Sequence, residues 1–251
     1  MRTFKEIAST REYRRNSLLY ISVAYDNVFE GAIEDSIKQL KEKIKTSEEK
    51  YEELSSITDG RDVSTFTEED EKSIDEACYH ENNASLFHQH LRSLNEMRII
   101  YLFKNLEISL KTIVKEAYPD VNTKEFYRWY TLIGFLEEKR IPVKLLNGYN
   151  EVLQVKDVNN LLKHSDSIPQ NVNNIIEFKS GIDSDSLEKF ALRVRLMVEI
   201  FREKLSAEIA KELFDFDDAR LDDLVKEYYY RMGDIAYSSF KQKINEYRGR
   251  K

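Results

Sequence analysis

Between Ser17 and about Ser56 the chain repeats apolar residues at helical spacing, and Ile33, Ile37, Leu40, Ile44, Tyr51 and Leu54 follow one another mainly by threes, fours and a seven. A seam that narrow leaves most of the helix polar and requires a partner helix to cover it. The residues between, Lys41, Glu42, Lys43, Lys45, Glu48, Glu49 and Lys50, alternate in sign as on an exposed helix surface. Thr58-Asp59-Gly60-Arg61-Asp62-Val63-Ser64 then breaks the period with turn formers. Thr67-Glu68-Glu69-Asp70 reads as a new helix start, with acids at the positive end of the dipole. A second long helix is predicted from about Glu68 to Tyr118, ending before Pro119 and offering Leu86, Leu91, Leu94, Met97, Tyr101, Leu102, Leu106, Leu110 and Ile113 for packing. Two helices of this length on a short connection should lie antiparallel, so that each covers the other's seam.

The rest of the chain is read the same way. Asn122 and Glu125 have capping-box spacing and are expected to open a short aromatic helix through Phe126, Trp129, Tyr130, Ile133 and Phe135. Leu145 to His164 read as a further helix after Pro142, with a break near Gly148, and 165–184 as a loop marked by Pro169, Asn171, Asn173, Asn174 and Gly181. Asp185 and Glu188 repeat the capping-box spacing before a helix to about Phe214, and one last helix is expected from about Asp217 to Tyr247. The basic start, with Arg2, Lys5, Arg11, Arg14 and Arg15, reads as a solvated helix face or frayed end.

Composition supports an all-α fold and excludes a sheet-based one, since only seven Gly and three Pro accompany 34% charged residues. The expected architecture is a helical bundle with a long antiparallel hairpin projecting from it. It is read as one domain over 1–251, with 30–90 as the projecting arm and 90–210 as the bundle core. The single Cys78 cannot form an internal disulfide, and neither a bilayer-length apolar run nor a secretory leader before Ser17 is present, so a cytoplasmic protein without a membrane partner is expected. A net charge of −7 offers no broad basic surface, so any nucleic-acid contact must be local.

The chemistry-bearing stretch is Val158-Asn159-Asn160-Leu161-Leu162-Lys163-His164-Ser165-Asp166. At about 3.6 residues per turn, Asn160, Lys163 and His164 share one helix face, which is a poor core stripe and a plausible site. Elsewhere, His80, His88 and His90 lack metal-pair spacing, and Asp215, Asp217, Asp218, Asp222 and Asp223 straddle a helix start, so no metal or cofactor is expected. The run Tyr228 to Tyr230 reads as packing or interface.

Asn159-Asn160-x-x-Lys163-His164 resembles the motif of the HEPN superfamily of helical ribonucleases and toxin-related proteins, whose form is Arg-polar-x-x-x-His at a helix start or in the turn before it. The helix segment Tyr101 to Leu110, with Glu107 inside it, is similar to the acid-bearing helix of that family, and the resemblance covers roughly 90–210. It implies His164 as the histidine, Asn160 as the polar residue, Glu107 as the supporting acid, and Asn159 where the arginine stands. Family members act on RNA without a metal, commonly as homodimers that bring two motifs together. By that analogy His164 moves a proton to or from the RNA oxygens while Asn160 orients the phosphate. The missing cation is then Lys163, without arginine's planar fork, or Arg92 or Arg98 from the other helix. The alternative is a non-enzymatic all-α interaction or regulatory subunit that binds a protein partner through the hairpin or self-associates, with His164 and Asn160 as helix cross-links.

Overall fold

The computed structural model describes residues 4–23, 27–126, 128–164, 168–215 and 218–249, and every regular element among them is helical, with no strand. In order these are α1 (Phe4–Val23), α2 (Asn27–Thr58), α3 (Glu68–Ala117), α4 (Trp129–Glu138), α5 (Tyr149–His164), the short α6 (Gln170–Asn173), α7 (Ser184–Phe214), α8 (Asp218–Arg231) and α9 (Asp234–Gly249). The all-α expectation holds. Two compact units are formed from interleaved stretches: 1–24, 106–149 and 199–251 make one, and 25–105 with 150–198 make the other.

In the unit of 25–105 and 150–198, Ile33, Ile37 and Ile44 of α2 pack with Leu91 of α3, flanked by Phe29, Leu40, Phe87 and Leu94. Phe29 meets Tyr101, Glu34 meets Arg98 and Glu48 meets His88, so residue numbers rise along α2 as they fall along α3. The turn between them is built locally. Gly60, at φ 70°, takes the left-handed conformation that ends α2, and the Arg61 amide donates to the Thr58 carbonyl. Thr67 and Asp70 then cap α3 reciprocally, the Thr67 amide donating to the Asp70 carboxylate and the Asp70 amide to the Thr67 hydroxyl. On the other side, Val152, Val155 and Val158 of α5 and Leu187, Phe190 and Val194 of α7 are buried, with Phe178 against Phe190. The start of α7 is fixed by Asp183, whose side chain accepts from the Ser186 amide, two residues before the expected Asp185 cap.

This unit also buries charge. Arg98 and Glu30 are about 95% enclosed and form an ion pair; Arg98 further reaches Glu34 at 3.0 Å, and Arg195 of α7 reaches both glutamates at 3.1 Å. Each glutamate is thereby matched by arginine, and pairing of this kind is the condition under which buried charge is tolerated.

The other unit packs Leu18 of α1, Leu106, Leu110, Ile113 and Val114 of α3, Leu132, Ile133 and Leu136 of α4, and Phe201, Leu205 and Ile209 of α7. Of the basic start, Arg2 and the Lys5 side chain lie outside the described residues, and the three arginines that follow on α1 are engaged rather than only solvated. Arg14 donates to the carbonyls of Glu116 and Ala117 at the end of α3, Arg11 to the carbonyl of Phe214 at the end of α7, and Arg15 pairs with Asp215. Cations at helix C-termini satisfy carbonyls that have no intrahelical donor. Asn122 caps only a single turn over Thr123–Glu125, and α4 opens later, at Trp129. The expected last helix is interrupted at Gly233, between α8 and α9.

Candidate functional site

Helix α5 positions the polar stretch. It starts after Gly148, whose φ of 89° breaks the chain as expected, and it turns Val152, Val155, Val158 and Leu161 inward. Asn159 lies on this same inward side and is 2% exposed. Its Nδ2 donates to Oδ1 of Asn160 at 3.3 Å, while its own Oδ1 is buried without a hydrogen-bond partner. Asn160, Lys163 and His164 are exposed, so three of the four motif residues share an outer face and the fourth points into the core. Lys163 and His164 occupy the last turn of α5, at the negative end of its dipole, where cationic side chains are favoured. In the family form the motif stands at a helix start or the turn before it; here it ends a helix. Ser165 and Asp166 lie outside the described residues.

The other candidates are engaged elsewhere. Glu107 belongs to the unit of 106–149, whereas 159–164 belong to the unit of 150–198, and its carboxylate takes the Lys111 ammonium at 2.6 Å. Arg92 pairs with Glu96 at 3.0 Å, and Arg98 is held in the buried ionic cluster. Lys163 is therefore the motif's own exposed cation. His80 lies 4.0 Å from Glu76 and His88 lies 3.0 Å from Glu48, and no group of three His, Cys, Asp or Glu among the described residues is placed to hold a metal ion. No helix among the described residues is long and apolar enough to cross a membrane.

A groove of about 510 Å³ lies along α2, between Ile37, Lys38, Lys41 and Lys45 on one side and Glu188 and Leu192 of α7 on the other, with Arg98 at its base. None of the motif residues lines it. Lys41 of α2 pairs with Glu188 of α7 across it at 2.7 Å.

The sequence pattern pointed to a third feature only in outline. No described side chain from Asp218 to Glu246 is buried, although α8 and α9 carry Leu221, Val225, Tyr228, Tyr229, Tyr230, Ile235, Tyr237 and Ile244. The run Tyr228 to Tyr230 signalled packing or interface; that the whole helix pair shares this exposure depends on tertiary structure. No family model, curated protein or solved structure matches the chain.

Proposed function

We propose that this chain is a HEPN-like helical protein whose catalytic capacity is weakened or lost, and that it acts as an interaction or regulatory protein of the kind met in bacterial toxin and antiphage systems. The burial of Asn159 carries this reading. In RNA cleavage, charge develops on the phosphate, and an oriented cation supplies much of the stabilisation. At the position corresponding to the family's arginine, this chain has a neutral amide turned away from solvent. A polar surface that can meet RNA or protein remains at Asn160, Lys163 and His164, without a planar cation to hold a phosphate in reacting geometry.

A second reading, a metal-independent endoribonuclease, is favoured by the exposure of Lys163 and His164 side by side. The test is cleavage of total RNA and of single-stranded RNA by the full chain and by His164→Ala, together with growth on induced expression. Indistinguishable behaviour of the two proteins is expected. Cleavage or toxicity by the wild type that His164→Ala abolishes would overturn the non-catalytic reading and establish the enzyme.

A further inference from the structure

We propose that α8 and α9 are half of a four-helix bundle, completed by the same two helices of a second copy of this chain; the inference rests on the interaction reading above and names its partner. The two helices already meet, with Tyr228 stacked on Phe240 at 5.3 Å and Tyr229 edge-on to Tyr237 at 6.4 Å. Leu221, Val225 and Tyr228 recur by four and three along α8, and Tyr237, Phe240 and Ile244 by three and four along α9, the spacing of a bundle seam. That seam is only half closed: Leu221, Val225 and Ile244 are 46%, 56% and 42% exposed.

Helices of 14 and 16 residues sit close to the length, roughly 12–15 residues, below which isolated helices are barely stable in water. Their stability must come from covering this face. At about 1.5 Å per residue and about 9 Å between axes, the pair presents a surface on which a copy would bury on the order of 1,000 Å² in total, the lower range for a specific interface.

Charge identifies the occupant. Asp218 and Asp222 flank Leu221 and Val225 on α8, and Lys241 flanks Tyr237 and Ile244 on α9, with no ion-pair partner for any of the three among the described residues. A two-fold axis that lays α8 of one copy over α9 of the other sets acid against base twice while closing the apolar seam. A lipid surface would instead call for a polar face rich in Lys and Arg, and α8 carries Asp218, Asp222, Asp223 and Glu227 against Arg220, Lys226 and Arg231.

The experiment is molar mass by light scattering on the full chain at micromolar concentration. The wild type is expected at twice the chain mass, and Leu221→Asp/Val225→Asp at the chain mass with helicity retained by circular dichroism. Because that variant can also unfold α8, a charge swap accompanies it: Asp222→Lys and Lys241→Glu should each weaken the dimer about tenfold or more, and the double variant should restore it. A monomeric wild type, or single charge variants that dimerise as tightly as the wild type, would overturn the proposal. Neither outcome touches the non-catalytic reading, which stands or falls on the RNA assay.

Discussion

Arg61 clasps Asp70 with both arms of its guanidinium, Nη1 to Oδ1 at 2.5 Å and Nη2 to Oδ2 at 2.8 Å, and so staples the turn between α2 and α3. Together with the Thr67 amide and hydroxyl, this holds the Asp70 carboxyl well below the usual carboxylate range. A carboxyl depressed in the folded state stabilises fully above its unfolded pKa of about 3.9, and that contribution fades as pH falls towards the folded value. Asp70→Asn should therefore lower the urea midpoint at neutral pH, with the gap from wild type shrinking steadily below pH about 4. A gap independent of pH would contradict this. Thr67→Ala, which removes the reciprocal cap, should cost about 1 kcal/mol.

The buried ionic cluster makes a sharper prediction. Arg98→Met strips Glu30 of one of its two cations and should cost about 3 kcal/mol in chemical denaturation, because a buried charge is left undercompensated. Adding Glu30→Leu should recover more than half of that, since Glu34 and Arg195 still pair at 3.1 Å. If the single variant costs less than about 1 kcal/mol, the cluster is more solvated than its burial implies.

Asn159 offers a test at the motif itself. Its unpartnered Oδ1 makes Asn159→Leu neutral or stabilising by about 1 kcal/mol in thermal denaturation. Asn159→Arg, which restores the family residue, should instead destabilise by several kcal/mol, on the order of 3–5, because the site faces the core. A stable Asn159→Arg protein that cleaves RNA would show that the side chain reaches solvent.

Arg14 closes the end of α3 from 102 residues away in sequence, at 3.3 Å to the Glu116 carbonyl and 3.2 Å to that of Ala117. Arg14→Ala should cost about 1–2 kcal/mol and speed amide exchange in the last turn of α3, with Arg14→Lys recovering part of the loss. Unchanged exchange at the Tyr118 amide would count against the capping role.

The helices that cover one another along α2 and α3 were legible because their apolar period is long and the turn chemistry at Gly60 and Thr67 is local. The break at Gly148 was legible for the same reason. The start of α4 was not: Asn122 and Glu125 have the right spacing and do bond to each other, but the backbone closes only one turn there before Trp129. At the motif, periodicity placed Asn160, Lys163 and His164 on one face, which is where they lie. The inward turn of Asn159 was hidden, because an amide one residue from that face looks polar whatever it packs against. The roles of Arg11, Arg14 and Arg15 were hidden too, since Arg11 and Arg14 bind main-chain carbonyls and Arg15 a carboxylate, all on residues far along the sequence.

Ser206 binds the Leu18 carbonyl across 188 residues of sequence. During synthesis, at roughly 5–20 residues per second, α1 must wait on the order of ten to forty seconds for the stretch of α7 that receives it. Throughout that interval Leu18 and the buried residues of α3 and α4 in the same unit lack the cover that α7 gives them. Ribosome-bound intermediates of this protein should therefore lean on chaperones until about residue 214 has emerged, and α1, which can reach the end of α3 through Arg14 earlier, should complete its native contacts only then.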